Sequence, residues 1–252
     1  MQAEERQFLI EQHLQKVEFA SLEELSEKVD VSISTVRRDL TLLETKGTIR
    51  RTHGGARLVS PKSDEFIFSA RDTHQLSEKD SIGQTAASLI KPNQGVIIDA
   101  GTTAYHVAKH LGGKASHIIT NSLPVANHFG SDNSVEVLVT GGVIYPRLGV
   151  LVGPLAVESL SMMHADVAIM SGGGLTLEGV TNSHALLIDI QRAMLKSAQQ
   201  IIFCLDHTKF NRRSVSHLCE INAINTIVTD AQAPTDLIHQ LKESNVKVVI
   251  AD

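Results

Sequence analysis

The chain has 252 residues, enough for a small module and one larger core domain. Its net charge of −5 and isoelectric point near 6.2 argue against a generic nucleic-acid coat, and the lack of tryptophan with only two tyrosines argues against an aromatic platform for single strands. Two cysteines make no disulfide framework, the start MQAEERQFLIEQHL has no apolar signal region, and no stretch of about 18 apolar residues occurs, so a soluble protein of a reducing cytoplasm is expected.

Residues 4–15 predict a first helix with Phe8, Leu9, Ile10 and Leu14 on its buried side. A second runs through Ser21–Val29, with Ser21 and Glu24 at capping-box spacing and an apolar stripe of Leu22, Leu25 and Val29. A third, over Thr35–Glu44, has Ser32 or Ser34 as N-cap and Val36, Leu40 and Leu43 facing inward, and Lys46-Gly47 ends it. Arg37 and Arg38 fall off that stripe. The β-prone run Thr48–His53 follows, closed by Gly54-Gly55. Helix, turn, basic helix and basic hairpin make a winged helix-turn-helix, for which double-stranded DNA is the expected partner.

Charge placement agrees with this. Between Val31 and Ser60 six basic residues stand against two acidic ones, whereas residues 1–30 hold three basic and eight acidic ones. A module basic on one side and acidic on the other is oriented toward a polyanion, and the planar guanidinium fork suits phosphate and guanine edges. Ser34, Thr35, Arg37 and Arg38 are expected nearest the major groove, with Arg50, Arg51 and Arg57 on backbone phosphates. His53 either touches phosphate or caps the hairpin, and Asp39 is expected to be structural, orienting an arginine or bonding a backbone amide.

The polar, Pro-containing run at residues 60–65 divides the chain into a DNA-binding domain at 1–59, a linker at 60–76 with a short connecting helix near 66–74, and an α/β domain at 77–252. Residues 77–90 predict a helix capped by Ser77. From Gly95 onward short apolar strands at 95–99, 117–120, 135–139, 166–170, 200–205, 226–228 and 246–250 alternate with helices near 104–111, 122–129, 153–164, 183–197 and 234–244. Such alternation indicates a parallel sheet covered on both faces.

Ligands of such sheets sit beyond the C-terminal ends of the strands. Those ends read Asp99-Ala100-Gly101-Thr102-Thr103, Thr120-Asn121-Ser122, Thr140-Gly141-Gly142, Ser171-Gly172-Gly173-Gly174 and Asp206-His207-Thr208-Lys209. Glycines permit close backbone approach, and hydroxyls with free amides at a helix start favour an anion, so a pocket for a polar, phosphorylated small molecule is expected. No G-x-G-x-x-G follows a strand, which excludes a dinucleotide fingerprint. His106 and His110 lie at metal-ligand spacing without an evident third ligand and are expected on a solvated face; no metal or cofactor is expected. Cys204 reads as a small core residue.

Val31-Ser32, Thr35-Val36-Arg37-Arg38-Asp39-Leu40, Leu43-Glu44, Gly47 and His53-Gly54-Gly55-Ala56 resemble the N-terminal signature of DeoR-type, glycerol-3-phosphate-repressor-like transcriptional regulators. Glu78-Lys79, Asp99-Ala100-Gly101-Thr102-Thr103, Thr120-Asn121-Ser122, Gly141-Gly142, Val152-Gly153-Pro154, Gly172-Gly173-Gly174, Asp206-His207-Thr208-Lys209-Phe210 and Thr229-Asp230 resemble that family's sensor domain, in order along nearly the whole chain. The resemblance implies a sensor similar to ribose-5-phosphate isomerase and a repressor of sugar genes whose operator binding is altered by a phosphorylated sugar. It implies Lys79, Asp99, Gly101, Thr102, Thr103, Asn121, Gly142, Gly172 and Lys209 as pocket residues, to which Gly141, Gly173 and Asp206 of the same loops are added. Ala100 stands where many members carry serine, implying one hydroxyl fewer toward the ligand. A homo-oligomer, dimer or tetramer, is expected because one module makes few DNA contacts. The alternative, a sugar-phosphate isomerase, needs a proton-shuttling carboxylate and a cation. The isomerase's Asp-Gly-Ala-Asp motif is not present, only His164-Ala165-Asp166, and Ser171 stands where the isomerase has lysine.

Overall fold

The computed structural model describes residues 3–17, 19–45, 48–52, 54–58 and 68–252, and its contacts separate residues 1–67 from residues 68–252. The first unit comprises α1 (Ala3–Val17), β1 (Phe19–Ser21), α2 (Leu22–Val29), α3 (Ile33–Thr45), β2 (Ile49–Thr52) and β3 (Gly55–Leu58). Ile10 and Leu14, one turn apart on α1, share a core with Leu25 and Val29 of α2, Val36, Leu40 and Leu43 of α3, and Ile49 of β2. Phe8, expected inside, is 58% exposed. It sits two positions from Ile10, about 200° around the helix, so both side chains cannot enter one core.

Ser21 Oγ accepts from Glu24 N–H at 3.1 Å as the N-cap of α2, and the Glu24 carboxylate meets His13 Nε2 of α1 at 2.8 Å. The turn into α3 is made by Asp30 in the left-handed region (φ 49), whose N–H reaches Ser26 O. Ser32, not Ser34, caps α3, accepting from Thr35 N–H at 3.3 Å, so the helix starts at Ile33. The expected Lys46-Gly47 stop and His53 lie outside the described residues. The antiparallel sheet has the order β1-β3-β2. Its strand β1 is one that the sequence pattern did not reveal. Gly55 permits it: a Cβ there would lie 2.1 Å from Ala20 O.

α1 and α3 are locked by charge. The Arg6 guanidinium binds the buried Asp39 carboxylate through Nε and, at 3.1 Å, through a terminal nitrogen, and Gln7 Nε2 adds a bond at 3.4 Å. Asp39 is thus structural, orienting an arginine as expected.

The second unit opens with α4 (Phe68–Thr73) and α5 (Leu76–Ser88), so the last part of the expected linker at 60–76 is helical and grouped with the sensor side. Gln75, in the left-handed region, precedes α5, and Ser77 lies inside the first turn instead of capping it. Then follow β4 (Gln94–Ile98), α6 (Thr102–Leu111), β5 (Ala115–Thr120), α7 (Leu123–Phe129), β6 (Glu136–Val139), β7 (Val143–Tyr145), β8 (Val150–Val152), α8 (Pro154–Ser161), β9 (Ala165–Met170), β10 (Gly174–Thr176), β11 (Gly179–Asn182), α9 (Ala185–Lys196), β12 (Ala198–Cys204), β13 (Ser216–Cys219), β14 (Thr226–Asp230), α10 (Thr235–Glu243) and β15 (Lys247–Ala251).

Seven of these strands form one parallel sheet in the order β15-β14-β12-β9-β4-β5-β6. Alternate side chains face opposite layers. Ile97, Ala168, Met170, Phe203 and Ile227 pack beneath α8, α9 and α10, while Val96, Ile98, Val167, Ile169, Ile202 and Val228 pack beneath α5, α6 and α7. Both faces are covered, which explains the unbroken apolar strands. The chain builds outward from β4 to β5 and β6, then returns to β9 on the other side of β4. The β4–β9 seam is therefore the topological switch point, where a crevice opens at the C-terminal ends. Two further sheets, the β7–β8 hairpin and antiparallel β10-β11-β13, do not belong to the alternation read from sequence. Cys204 and Cys219 are buried, and burial raises both thiols above the ordinary range, Cys219 to about 11.

Removing Asp39 strands a guanidinium against the first unit's core. Asp39→Ala is expected to lower the midpoint of that unit's unfolding by several degrees, and adding Arg6→Met to recover part of the loss by removing the stranded charge. Thermal denaturation of the four members of the cycle checks this.

Candidate nucleic-acid interface and anion pocket

Packing Val36, Asp39, Leu40 and Leu43 inward leaves Ser34, Arg37, Arg38, Thr41 and Leu42 exposed on α3, with Thr35 half-buried at its first turn. Arg37 and Arg38 therefore lie on the outward face. Arg50 and Arg57, half-buried, are paired in register on β2 and β3. Arg51 is tied back to α3: its backbone N–H and Nε reach Glu44 at 2.9 and 2.7 Å, and a terminal nitrogen reaches Thr41 Oγ1 at 2.8 Å. These bonds, the backbone one first, hold the Glu44 carboxyl below the usual range. Arg51 thus fixes the wing to the exposed helix, a role that sequence reading did not assign.

In the second unit, parallel topology brings Asp99, Gly101, Thr102, Thr103, Asn121, Gly141, Gly142, Gly172, Gly173, Asp206 and Lys209 to one edge of the sheet, following β4, β5, β6, β9 and β12. The organising group is Asp99, 3% exposed. Its Oδ2 accepts from Ser171 N–H at 3.1 Å across the switch point and from Gln191 Nε2 of α9 at 3.0 Å, and Ala100 N–H also bonds it. Gln191 is fixed in turn by Asn182 Nδ2 at 2.8 Å and donates to Ser171 O at 3.2 Å. Burial raises the Asp99 pKa, against these donors, which favour the charged form. Its Oδ2 is spent on protein, so Asp99 shapes this edge of the sheet.

Gly101 sits opposite Ser171 with no room to spare: a Cβ would lie 2.1 Å from Ser171 Oγ. As N-cap of α6 it offers no side chain to the first-turn amides, leaving a helix start suited to an anion beside Thr102 and Thr103. Asn121, 1% exposed, donates from Nδ2 to Leu151 O at 3.0 Å, while its Oδ1 and the Ser171 Oγ are buried without a hydrogen-bond partner. Such atoms cost free energy unless something fills them. The glycine run has another cause: Cβ atoms at Gly172, Gly173 and Gly174 would meet Val180, Ser214 and Arg212 O within 3 Å, so protein occupies that space. Ala100 packs into a small apolar cluster with Leu148, Val150 and Leu187.

Lys79 is 5% exposed, and its ammonium donates to Arg71 O. Burial first, opposed by Asp206 and reinforced by Arg71 and Lys209, pushes it down to about 8. Asp206 caps the short turn at 207–209 through Thr208 N–H at 3.0 Å, and His207 bonds Asp230 at 3.0 Å. His184 stacks edge-on with Tyr145 at 5.1 Å, and burial, then Arg147 and Arg71, lowers its pKa. His106 is buried between Asp80 and Asp72 at 3.3 and 3.2 Å, not on a solvated face, because α4 and α5 cover that side of α6; His110 reaches Asp80 at 2.8 Å. Among the described residues no group of three His, Cys, Asp or Glu is arranged to hold a metal ion, and no helix is long and apolar enough to cross a membrane.

Residues 6–62 match the DeoR-like helix-turn-helix domain, and residues 74–231 match the DeoR C-terminal sensor domain. The chain belongs to the DeoR family. Among its relatives, the HTH-type transcriptional repressor GlcR of Bacillus subtilis is 32% identical over 252 residues, covering 100% of this chain and 98% of that one. The HTH-type transcriptional regulator GolR of Listeria innocua is 33% identical over 231 residues, 91% of each. This DeoR-family protein is a DNA-binding transcriptional regulator with a sensor domain, not an enzyme. Ribose 5-phosphate isomerase A of Neisseria gonorrhoeae aligns with TM-score 0.37 and 14% identity over 54% of this chain and 53% of that one, a likeness too distant to carry chemistry. Asp166, the carboxylate considered for an isomerase, accepts from Gly95 N–H at 2.8 Å near the N-terminal ends of β4 and β9, at the opposite edge from Gly101.

Sequence reading of this DeoR-family regulator missed Asn182 and Gln191, which hold Asp99 and the Ser171 carbonyl. Gln191 had a signal: it occupies the buried face of α9 with Leu187, Ile188 and Met194, where a polar side chain needs a partner. The Gly101–Ser171 approach makes a direct test. Gly101→Ala is expected to cost about 1–3 kcal/mol by overpacking, and Ser171→Gly in the same chain to recover most of it, measured by urea unfolding of the double-mutant cycle.

Proposed function

We propose that this DeoR-family regulator is a cytoplasmic repressor of sugar-metabolism genes whose operator affinity is set by a phosphorylated sugar held at the C-terminal edge of the sensor sheet. The observations that support the reading are the uncapped start of α6 and the unpartnered Asn121 Oδ1, both at the C-terminal edge of the sheet, together with the buried ammonium of Lys79, groups suited to an anion bearing hydroxyl groups. Two relatives named as repressors, GlcR and the putative aga operon repressor of Escherichia coli O157:H7, support the direction of control. α3 enters the major groove with Ser34, Thr35, Arg37 and Arg38 nearest the bases, and Arg50, Arg51 and Arg57 flank it on the wing. One such helix reads few base pairs, so the protein acts as a homo-oligomer, a dimer or tetramer, on a repeated site. The effector changes operator affinity only by favouring one arrangement of the DNA-binding units over another.

Fluorescence anisotropy on DNA from the protein's own upstream region, at fixed salt, with and without sugar phosphates, tests the reading. Specific binding shifted by one compound is expected; binding no tighter than to random DNA overturns it. Arg37→Ala should weaken specific binding by about 1–3 kcal/mol and leave effector binding intact, and Lys209→Ala should do the reverse. Equal loss of both activities in either variant contradicts the assignment to two sites.

Lys79 sets a pH dependence. Below about 8 it is charged and attracts the phosphate; above that value the free protein loses the proton, which an anion must restore. Effector affinity should therefore be level from about pH 7, where the phosphate is mostly dianionic, up to about 8, and then fall. Titration calorimetry across this range checks it, with Lys79→Arg expected to abolish the fall.

A further inference from the structure

A helix is commonly capped by a residue whose own side chain accepts from the first-turn amides. α6 has no such residue. Its N-cap is Gly101, and its first helical bond runs from Tyr105 N–H to Gly101 O at 2.9 Å, so the amides of Thr102, Thr103 and Ala104 come before that bond. The backbone does not demand glycine there, since φ −71 and ψ 148 are open to any residue. Ser171 demands it: a Cβ on Gly101 would lie 2.1 Å from Ser171 Oγ and 2.2 Å from Ser171 Cβ. The serine that follows β9 therefore fills the space in which a capping side chain of α6 would begin. It excludes the cap without replacing it, because Ser171 is 7% exposed and its Oγ bonds no group among the described residues.

The rest of Ser171 is held. Its N–H donates to Asp99 Oδ2 at 3.1 Å and its carbonyl accepts from Gln191 Nε2 at 3.2 Å, which leaves rotation of the hydroxyl about Cα–Cβ as its freedom. Asp99 Oδ2 lies 3.6 Å from the same Cβ position on Gly101, but it is an acceptor already engaged by Ser171 and Gln191. Of the side chains nearest that point, only the serine can donate. A buried hydroxyl without a partner costs free energy, and a ligand oxygen that accepts from it removes the cost. Donors on α6 and on the loop after β9 suit a group with several acceptor oxygens. We propose that Ser171 is an effector contact: its hydroxyl turns to donate to a phosphoryl oxygen seated on the first-turn amides of α6, so that the anion is held from both sides of the β4–β9 seam. This role rests on the anion reading of that edge of the sheet.

The test is a titration of the full chain with inorganic phosphate at constant ionic strength, followed at the amide resonances of Thr103 and Ala104, together with urea unfolding of the phosphate-free protein. Phosphate should shift both resonances, and Ser171→Ala should need about tenfold more phosphate for the same shift, the loss of one hydrogen bond to a charged group. Without phosphate, Ser171→Ala should be as stable as the unaltered chain or more so, because the deleted hydroxyl had no partner to lose. A titration midpoint unchanged by Ser171→Ala overturns the role of Ser171 and spares the anion site. A phosphate-free variant less stable than the unaltered chain overturns it too, since the hydroxyl then serves the fold. No shift at Thr103 or Ala104 in the unaltered chain overturns the anion reading and the role of Ser171 together.

Discussion

The second unit depends on a buried carboxylate. Asp99 ends β4 at the point where the sheet reverses its direction of growth, and parallel strands leave no hairpin there to join β4 to β9. Their backbone ladder joins the two strands, and hydrogen bonds to Oδ2, from the Ser171 backbone beyond β9 and from Gln191 on α9, extend the join past its end. A carboxyl group in that setting is tolerable only with its donors in place, so the bonds and the burial enforce one another. The geometry of the edge follows. Ser171 is drawn against Gly101, the chain turns into α6 with its first amides uncapped, and Asn182 is recruited to hold Gln191. Truncating Asp99 would therefore disturb the whole edge instead of deleting one ligand contact.

The first unit solves a different problem, holding an exposed basic helix still. α3 is braced by charge on two sides: Arg6 grips Asp39 from α1, and Arg51 grips Glu44 and Thr41 from the wing. The inner brace is buried and strong, whereas the outer one is exposed and worth little to stability on its own. Its value lies in position. With helix and wing moving together, the spacing between the exposed face of α3 and the wing is fixed before DNA arrives, so less ordering remains to be done on binding.

The architecture was readable wherever one physical signal dominated. Periodicity placed α2, α3 and the strands of the parallel sheet, because each has a stripe or run of apolar residues that only one layer can accept. It failed where stability is set by partners distant in sequence. β1 has three residues and exists because Gly55 lets β3 approach; β7 and β8 are equally short; Phe8 lies on a helix whose buried face a window of apolar residues does not resolve. The candidate site shows the same division. Its strand-end loops announce themselves by glycines and hydroxyls, whereas the close packing at Gly172 and Gly173, the Asp99 bonds across the seam and the apolar cluster around Ala100 depend on partners distant in sequence.

Cys204 and Cys219 are the chain's two thiols, both shielded and both far from the thiolate at neutral pH. Nucleophilic sulfur is thus absent from the folded protein's chemistry, and oxidants or alkylating agents find it only after a strand has come away. Cys204 ends β12 in the middle of the large sheet, and Cys219 ends β13 in the smaller one. The two sulfurs act as separate clocks on the opening of two sheets, since the order in which they become labelled reports which sheet loosens first.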